Sequence, residues 1–170
     1  MKGTVAGAGA GVPINLEADD GTGFLPVAAG ATDAQGAFVL TWTPPRAGRF
    51  SVRAAVNPAR AGQAGASRTS PARLVTIYQP TKATWYGPGF YGNRTACGMR
   101  LTRATQGIAH RTLPCGTKVA LSYGRRTVTV PVIDRGPFAN GADIDIAGAT
   151  AKRLGVNSTV RVGAVALTAP

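Results

Sequence analysis

Lys118-Val119-Ala120-Leu121-Ser122-Tyr123-Gly124-Arg125-Arg126-Thr127-Val128-Thr129-Val130-Pro131-Val132-Ile133-Asp134-Arg135-Gly136-Pro137-Phe138 is the stretch on which the fold reading turns. Val119, Leu121 and Tyr123 lie two apart, as do Val128, Val130 and Val132, and Gly124-Arg125 separates the two runs. That pattern predicts a β-hairpin whose second arm runs on through Ile133, with Pro131 marking an edge or a bulge. The arm ends on a carboxylate, Asp134. With Asp143 and Asp145 it accounts for every acidic residue after Asp33. Three carboxylates within 12 positions of a strongly basic segment read as a site. The only histidine, His110, lies 24 residues before Asp134 and completes a small set of candidate proton-handling groups.

The surrounding composition favours β structure. Among 170 residues there are 23 glycines and 12 prolines, Thr/Val-rich runs and hardly any long helical period, which implies short strands joined by tight turns. Length and composition favour two small domains over one. The formal charge of +12 divides unevenly: residues 1–78 carry 7 basic and 4 acidic groups, and residues 79–170 carry 12 and 3. Such a surface favours a polyanionic partner, either nucleic acid or a cell-wall polymer bearing carboxylates, or is simply a solvated basic face. No reader motif interleaves aromatics with basic runs, which disfavours nucleic acid.

Cys97 and Cys115 are the only cysteines, 18 apart, with neither a C-x-x-C pair nor a second histidine to suggest zinc. They read as a disulfide or as two buried thiols. No metal or other cofactor is expected. No apolar run approaches the roughly 20 residues of a membrane span, and Met1 to Pro13 does not form a signal-peptide core. Export would therefore depend on a targeting segment outside this chain.

Residues 1–78 predict a β-sandwich. Residues 12–17, 38–42, 49–54 and 73–78 alternate in hydrophobicity, and Asp19-Asp20-Gly21, Asp33-Ala34-Gln35-Gly36 and Pro44-Pro45-Arg46-Ala47-Gly48 supply turns. Residues 57–71 read as a long loop. Thr32-Asp33-Ala34-Gln35-Gly36-Ala37-Phe38 followed by Pro45-Arg46-Ala47-Gly48-Arg49-Phe50 resembles bacterial immunoglobulin-like domains, which implies a spacer or adhesion module. Residues 79–82 read as a linker, and residues 83–170 as a second domain. In that domain Ala147 to Leu154 is helical, stopped by Gly155, and Val160 to Leu167 is a closing strand.

Residues 83–92 (Ala-Thr-Trp-Tyr-Gly-Pro-Gly-Phe-Tyr-Gly), Thr95-Ala96-Cys97-Gly98, residues 109–117 (Ala-His-Arg-Thr-Leu-Pro-Cys-Gly-Thr), residues 132–138 and Asp145-Ile146 resemble, in order, the blocks of the rare lipoprotein A (RlpA) family. The resemblance implies a six-stranded double-psi β-barrel with one or two short helices, a fold shared with expansins. It also implies lytic transglycosylase activity on peptidoglycan, in a secreted or wall-bound monomer that could also meet other anionic wall polymers. The paired cysteines match secreted actinobacterial members, which fits a Cys97–Cys115 disulfide. Residue by residue, the family's aspartate matches Asp134 and its histidine matches His110. Its acid in the T-A-N-G-E block falls on Met99, whose thioether cannot exchange a proton. The essential aspartate of the related expansins matches Asp145. Asp134, Asp145 and His110 are thus the expected catalytic groups, with Thr95, Tyr86 and Arg135 expected against substrate. Asp145 could instead cap the following helix, and Asp143 is expected to be exposed. An expansin-like module that binds glycan without cutting it is the alternative.

Overall fold

The computed structural model describes residues 1–56, 68–138 and 141–167, so the expected loop over 57–71 lies outside the described residues from 57 to 67. The chain divides into two compact units, Met1–Ile77 and Tyr78–Pro170.

In the first unit, alternation is realised strand by strand. Ile14, Leu16 and Ala18 are buried along β2 (Pro13–Asp19), and Phe50, Val52 and Ala54 along β5 (Gly48–Val56). Together with β3 (Leu25–Ala31) and β6 (Arg73–Ile77) they form an antiparallel sheet of order β3-β2-β5-β6. A separate ladder pairs β1 (Lys2–Thr4) with β4 (Ala37–Val39). Phe38 of β4 packs into the same core as Ile14, Leu16, Phe50 and Val52. The turn aspartates act as their residue type requires: Asp33 Oδ1 accepts from the N–H groups of Gln35 and Ala37, and Asp19 Oδ1 from those of Gly21 and Gly23. The strand expected over 38–42 stops at Val39, and β1 and β3 arise where no alternation was evident.

In the second unit, six strands close into a barrel: β7 (Gln79–Tyr86), β8 (Ile108–His110), β9 (Lys118–Tyr123), β10 (Arg126–Asp134), β11 (Ile144–Ala147) and β12 (Val160–Leu167), in the order β10-β8-β11-β7-β12-β9. The β10–β8 and β11–β7 pairs are parallel and the rest antiparallel, consistent with a double-psi barrel. The expected hairpin is β9–β10, with Tyr123 opposite Arg126 across Gly124-Arg125. Pro131 precedes the first β10–β8 pair, and the register shifts between Val132 and Asp134. The interior is filled by branched side chains, among them Ile108, Leu121, Val130, Val132, Ile144 and Ile146.

Residues 79–82 are not a linker; they are the first half of β7, paired with β12. Within it, Pro80 lies opposite Gly163. A Cβ on that glycine would meet the Tyr78 side chain at 2.8 Å, so the glycine leaves the space that Tyr78 occupies. The helix α1 (Gly148–Leu154) ends as expected, with Gly155 in the left-handed conformation at φ 80°. Its N-cap is Ala147, without a side-chain cap, so Asp145 does not cap it.

Leu121 is fully buried within the barrel. Leu121→Ala should cost about 2–5 kcal/mol in urea denaturation, the range for deleting a buried leucine side chain; a loss below about 1 kcal/mol would mean the interior is not close-packed there.

Candidate active site

Strand order determines what can meet. β8 lies between β10 and β11, and its residue Ala109 is in register with both Asp134 and Asp145. Two carboxylates 11 positions apart in the chain therefore flank one small side chain. On β11, Ile144 and Ile146 are buried in the barrel interior, and Asp145 between them is the less buried residue, turned to the groove. Thr84 of β7 is opposite Asp145 and hydrogen-bonds its carboxyl.

These residues line a groove of about 730 Å³, walled by Trp85, Tyr86 and Phe90 on one stretch and by Asp134 to Phe138 on another, with Ser158 and Thr159 at its margin. Asp134 is held firmly, since its Oδ1 accepts from the N–H groups of Ala96 and Arg135, both at 2.8 Å. Asp145 is different. Its Oδ1 is buried and has no hydrogen-bond partner among the described residues. Burial raises its pKa above the ordinary aspartate value; the hydrogen bonds from Thr84 and the Ile146 N–H oppose that shift, and the charge of Asp134 adds to it. The Tyr86 hydroxyl is likewise buried without a partner. Burial and the two nearby carboxylates push it well above the usual phenol value.

A disulfide fastens the loop that holds Asp134. Cys97 and Cys115 are bonded, with Cα atoms 5.7 Å apart. Cys97 follows Ala96, the donor to Asp134, and Gly116, next to Cys115, donates its N–H to Val132 of β10 at 2.8 Å. The bridge therefore ties together two loops that both dock on the strand ending in Asp134.

The other expected site residues have local partners. His110 Nδ1 accepts from the N–H groups of Thr112 and Leu113 at 3.1 and 3.0 Å, which leaves the proton of the neutral ring on Nε2. Burial, then the charges of Arg111 and Arg135, push its pKa down, opposed by Asp143. Thr95 Oγ1 accepts from the Met99 N–H and the Thr95 N–H donates to the Met99 carbonyl, closing a turn. Neither His110 nor Thr95 is among the residues lining the groove. Arg135 does line it, but its guanidinium donates to the carbonyls of His110 and Leu113 and to Cys115 Sγ. Asp143 is exposed, and its Oδ2 accepts from the Lys82 N–H. Met99 is 45% exposed and lies outside the groove lining.

Residues 79–167 match the family model described as lytic transglycolase. The chain belongs to that family. A Synechocystis protein named "Probable endolytic peptidoglycan transglycosylase RlpA" is 47% identical over 87 residues, covering 50% of this chain and 27% of the relative. The Campylobacter jejuni endolytic peptidoglycan transglycosylase RlpA is 43% identical over 74 residues, 42% of this chain and 27% of its own length. The chain thus spans about a quarter of the length of these curated relatives. Among solved structures, Streptomyces papain inhibitor is 28% identical with a TM-score of 0.39, covering 51% of this chain and 93% of that one.

Unequal surroundings of the carboxylates give a signed expectation. A raised folded-state pKa means that the native protein holds the Asp145 proton at pH values where the unfolded chain has released it, so stability falls as pH rises through that window. Asp145→Asn removes the penalty. Its melting temperature should exceed that of the parent at pH 7, and the gap should close below about pH 4, near the ordinary aspartate pKa; an equal or lower melting temperature at pH 7 would contradict the assigned burial.

Proposed function

We propose that this is an exported cell-wall protein whose barrel binds peptidoglycan glycan strands and cleaves them as a lytic transglycosylase. The observation that carries the reading is the placement of Asp134 and Asp145 on either side of Ala109 in one aromatic-walled groove. The relatives' names and the family assignment point the same way. The disulfide fits an oxidising compartment outside the cytoplasm, and no helix among the described residues is long and apolar enough to cross a membrane. We take the N-terminal unit to be an immunoglobulin-like spacer or adhesion module.

The chemistry needs one proton donated and one recovered. In the first step an acid gives its proton to the glycosidic oxygen, and the C1–O bond breaks with its electrons going to the departing sugar. The C6 hydroxyl of the muramyl ring then bonds to C1 and surrenders its proton to the same carboxylate, which restores the acid. No water is consumed, and the product is a 1,6-anhydro sugar. Asp145 suits this role because burial favours its protonated form and the residue lines the groove beside Asp134. Asp134, oriented by two N–H donors, supplies negative charge beside the developing cation at C1. His110, with its Nδ1 committed, serves as a positioning group for the 110–113 turn.

A second reading is favoured by one residue. Met99 occupies the position of the family's acid in the T-A-N-G-E block, so a barrel that holds glycan without cutting it fits that substitution. Digestion of purified sacculi separates the two. The transglycosylase reading expects soluble anhydro-muropeptides whose release falls about 100-fold or more in Asp145→Asn and drops in Asp134→Asn, with pelleting on sacculi retained. Pelleting with no soluble product would establish the binder, and release unchanged in both variants would overturn the assigned residues.

A further inference from the structure

The exposed aromatic rings of the barrel unit are not scattered. Among its described residues the exposed large hydrophobics are Trp85 at 38%, Phe90 at 56%, Met99 at 45% and Phe138 at 82%, and all except Met99 line the groove that holds the carboxylates. Single exposed apolar side chains are ordinary on a protein surface, but three converging on one concavity mark a binding face. Phe138 buries almost none of its ring, so its contribution to folding is small.

Both phenylalanines are presented on restrained backbone. Arg111 Nη1 donates to the Pro137 carbonyl at 2.8 Å and to the Ala142 carbonyl at 2.7 Å, which fixes the residue that precedes Phe138. The Phe90 N–H donates to the Gly87 carbonyl at 2.9 Å, and its ring meets Tyr86 edge to face at 6.2 Å. A preformed aromatic surface loses little conformational freedom on binding. The charge of the groove narrows the ligand further. Asp134 and Asp145 are on its floor, and Arg135, the only basic residue among the described residues lining it, has its guanidinium turned to the His110 and Leu113 carbonyls. Anionic groups are thus disfavoured there.

We propose that Phe138 and Phe90, with Trp85, form a stacking rim for the C–H faces of uncharged N-acetylhexosamine rings, and that Phe138 is a substrate-contacting residue on which glycan affinity depends. This rests on the reading of the groove as a glycan site. An aromatic ring offers an apolar face with a negative quadrupole to the slightly positive C–H bonds of a pyranose, and it needs no charge on the ligand.

The test titrates the full chain with the β-1,4-linked N-acetylglucosamine pentamer, an uncharged strand, by isothermal titration calorimetry. Phe138→Ala and Phe90→Ala should each weaken binding about 3- to 10-fold, the range for losing one aromatic contact, while Phe138→Trp keeps it and the melting temperature of Phe138→Ala stays at the parent value. Unchanged affinity in both alanine variants, or no binding by the parent, would overturn the proposal. Failure of the cleavage reading looks different: the parent would bind the pentamer in a Phe138-dependent way and yet release nothing from sacculi.

Discussion

Ala109 is the residue on which the site depends. Being in register with Asp134 through a parallel ladder and with Asp145 through an antiparallel one, it fixes the two carboxylates on neighbouring positions of the same outer surface. Only the interleaved order β10-β8-β11 does this, because consecutive strands in the chain would have placed other partners beside them. Adjacent strands lie about 4.8 Å apart, so the carboxylates are held by backbone geometry before any side-chain contact forms. A groove with two acids on its floor is thus a property of the ladder.

The same ladder makes the acids unequal. Asp134 ends its strand where the loop held by the Cys97–Cys115 bridge delivers the Ala96 N–H to it. Asp145 is in mid-strand between two buried isoleucines, next to Thr84 and within the electrostatic reach of Tyr86. One acid is solvated by the backbone; the other is half-buried with an unpaired oxygen. Different environments push the proton affinities of two neighbouring carboxyl groups apart.

Much of this was legible in the chain. Alternation identified β9 and β10, β12 was read as the closing strand, and a glycine marked the end of α1 at Gly155. The disulfide and the grouping of Asp134 with Asp145 were also anticipated, the latter from motif resemblance. What could not be read depends on cross-strand register. Thr84 and Ala109 carry no signal of their own; they matter because of what lies opposite them. β8 has only three residues, too few to show a period. Residues 79–82 read as a linker because their pairing with β12, and the space that Gly163 leaves for Tyr78, are tertiary facts. His110 and Thr95 look like site residues in their motifs, yet each is bonded to the turn that follows it.

Asp134 and Asp145 share one groove as coupled but unequal acids. Carboxyl carbon NMR of the protein labelled at aspartate tests it most directly, by following the Asp145 signal through pH in the parent and in Asp134→Asn. The account predicts that Asp145 titrates above the ordinary aspartate value of about 3.9 and that its midpoint moves down when the Asp134 charge is removed. A midpoint at the ordinary value that does not respond to Asp134→Asn would contradict it.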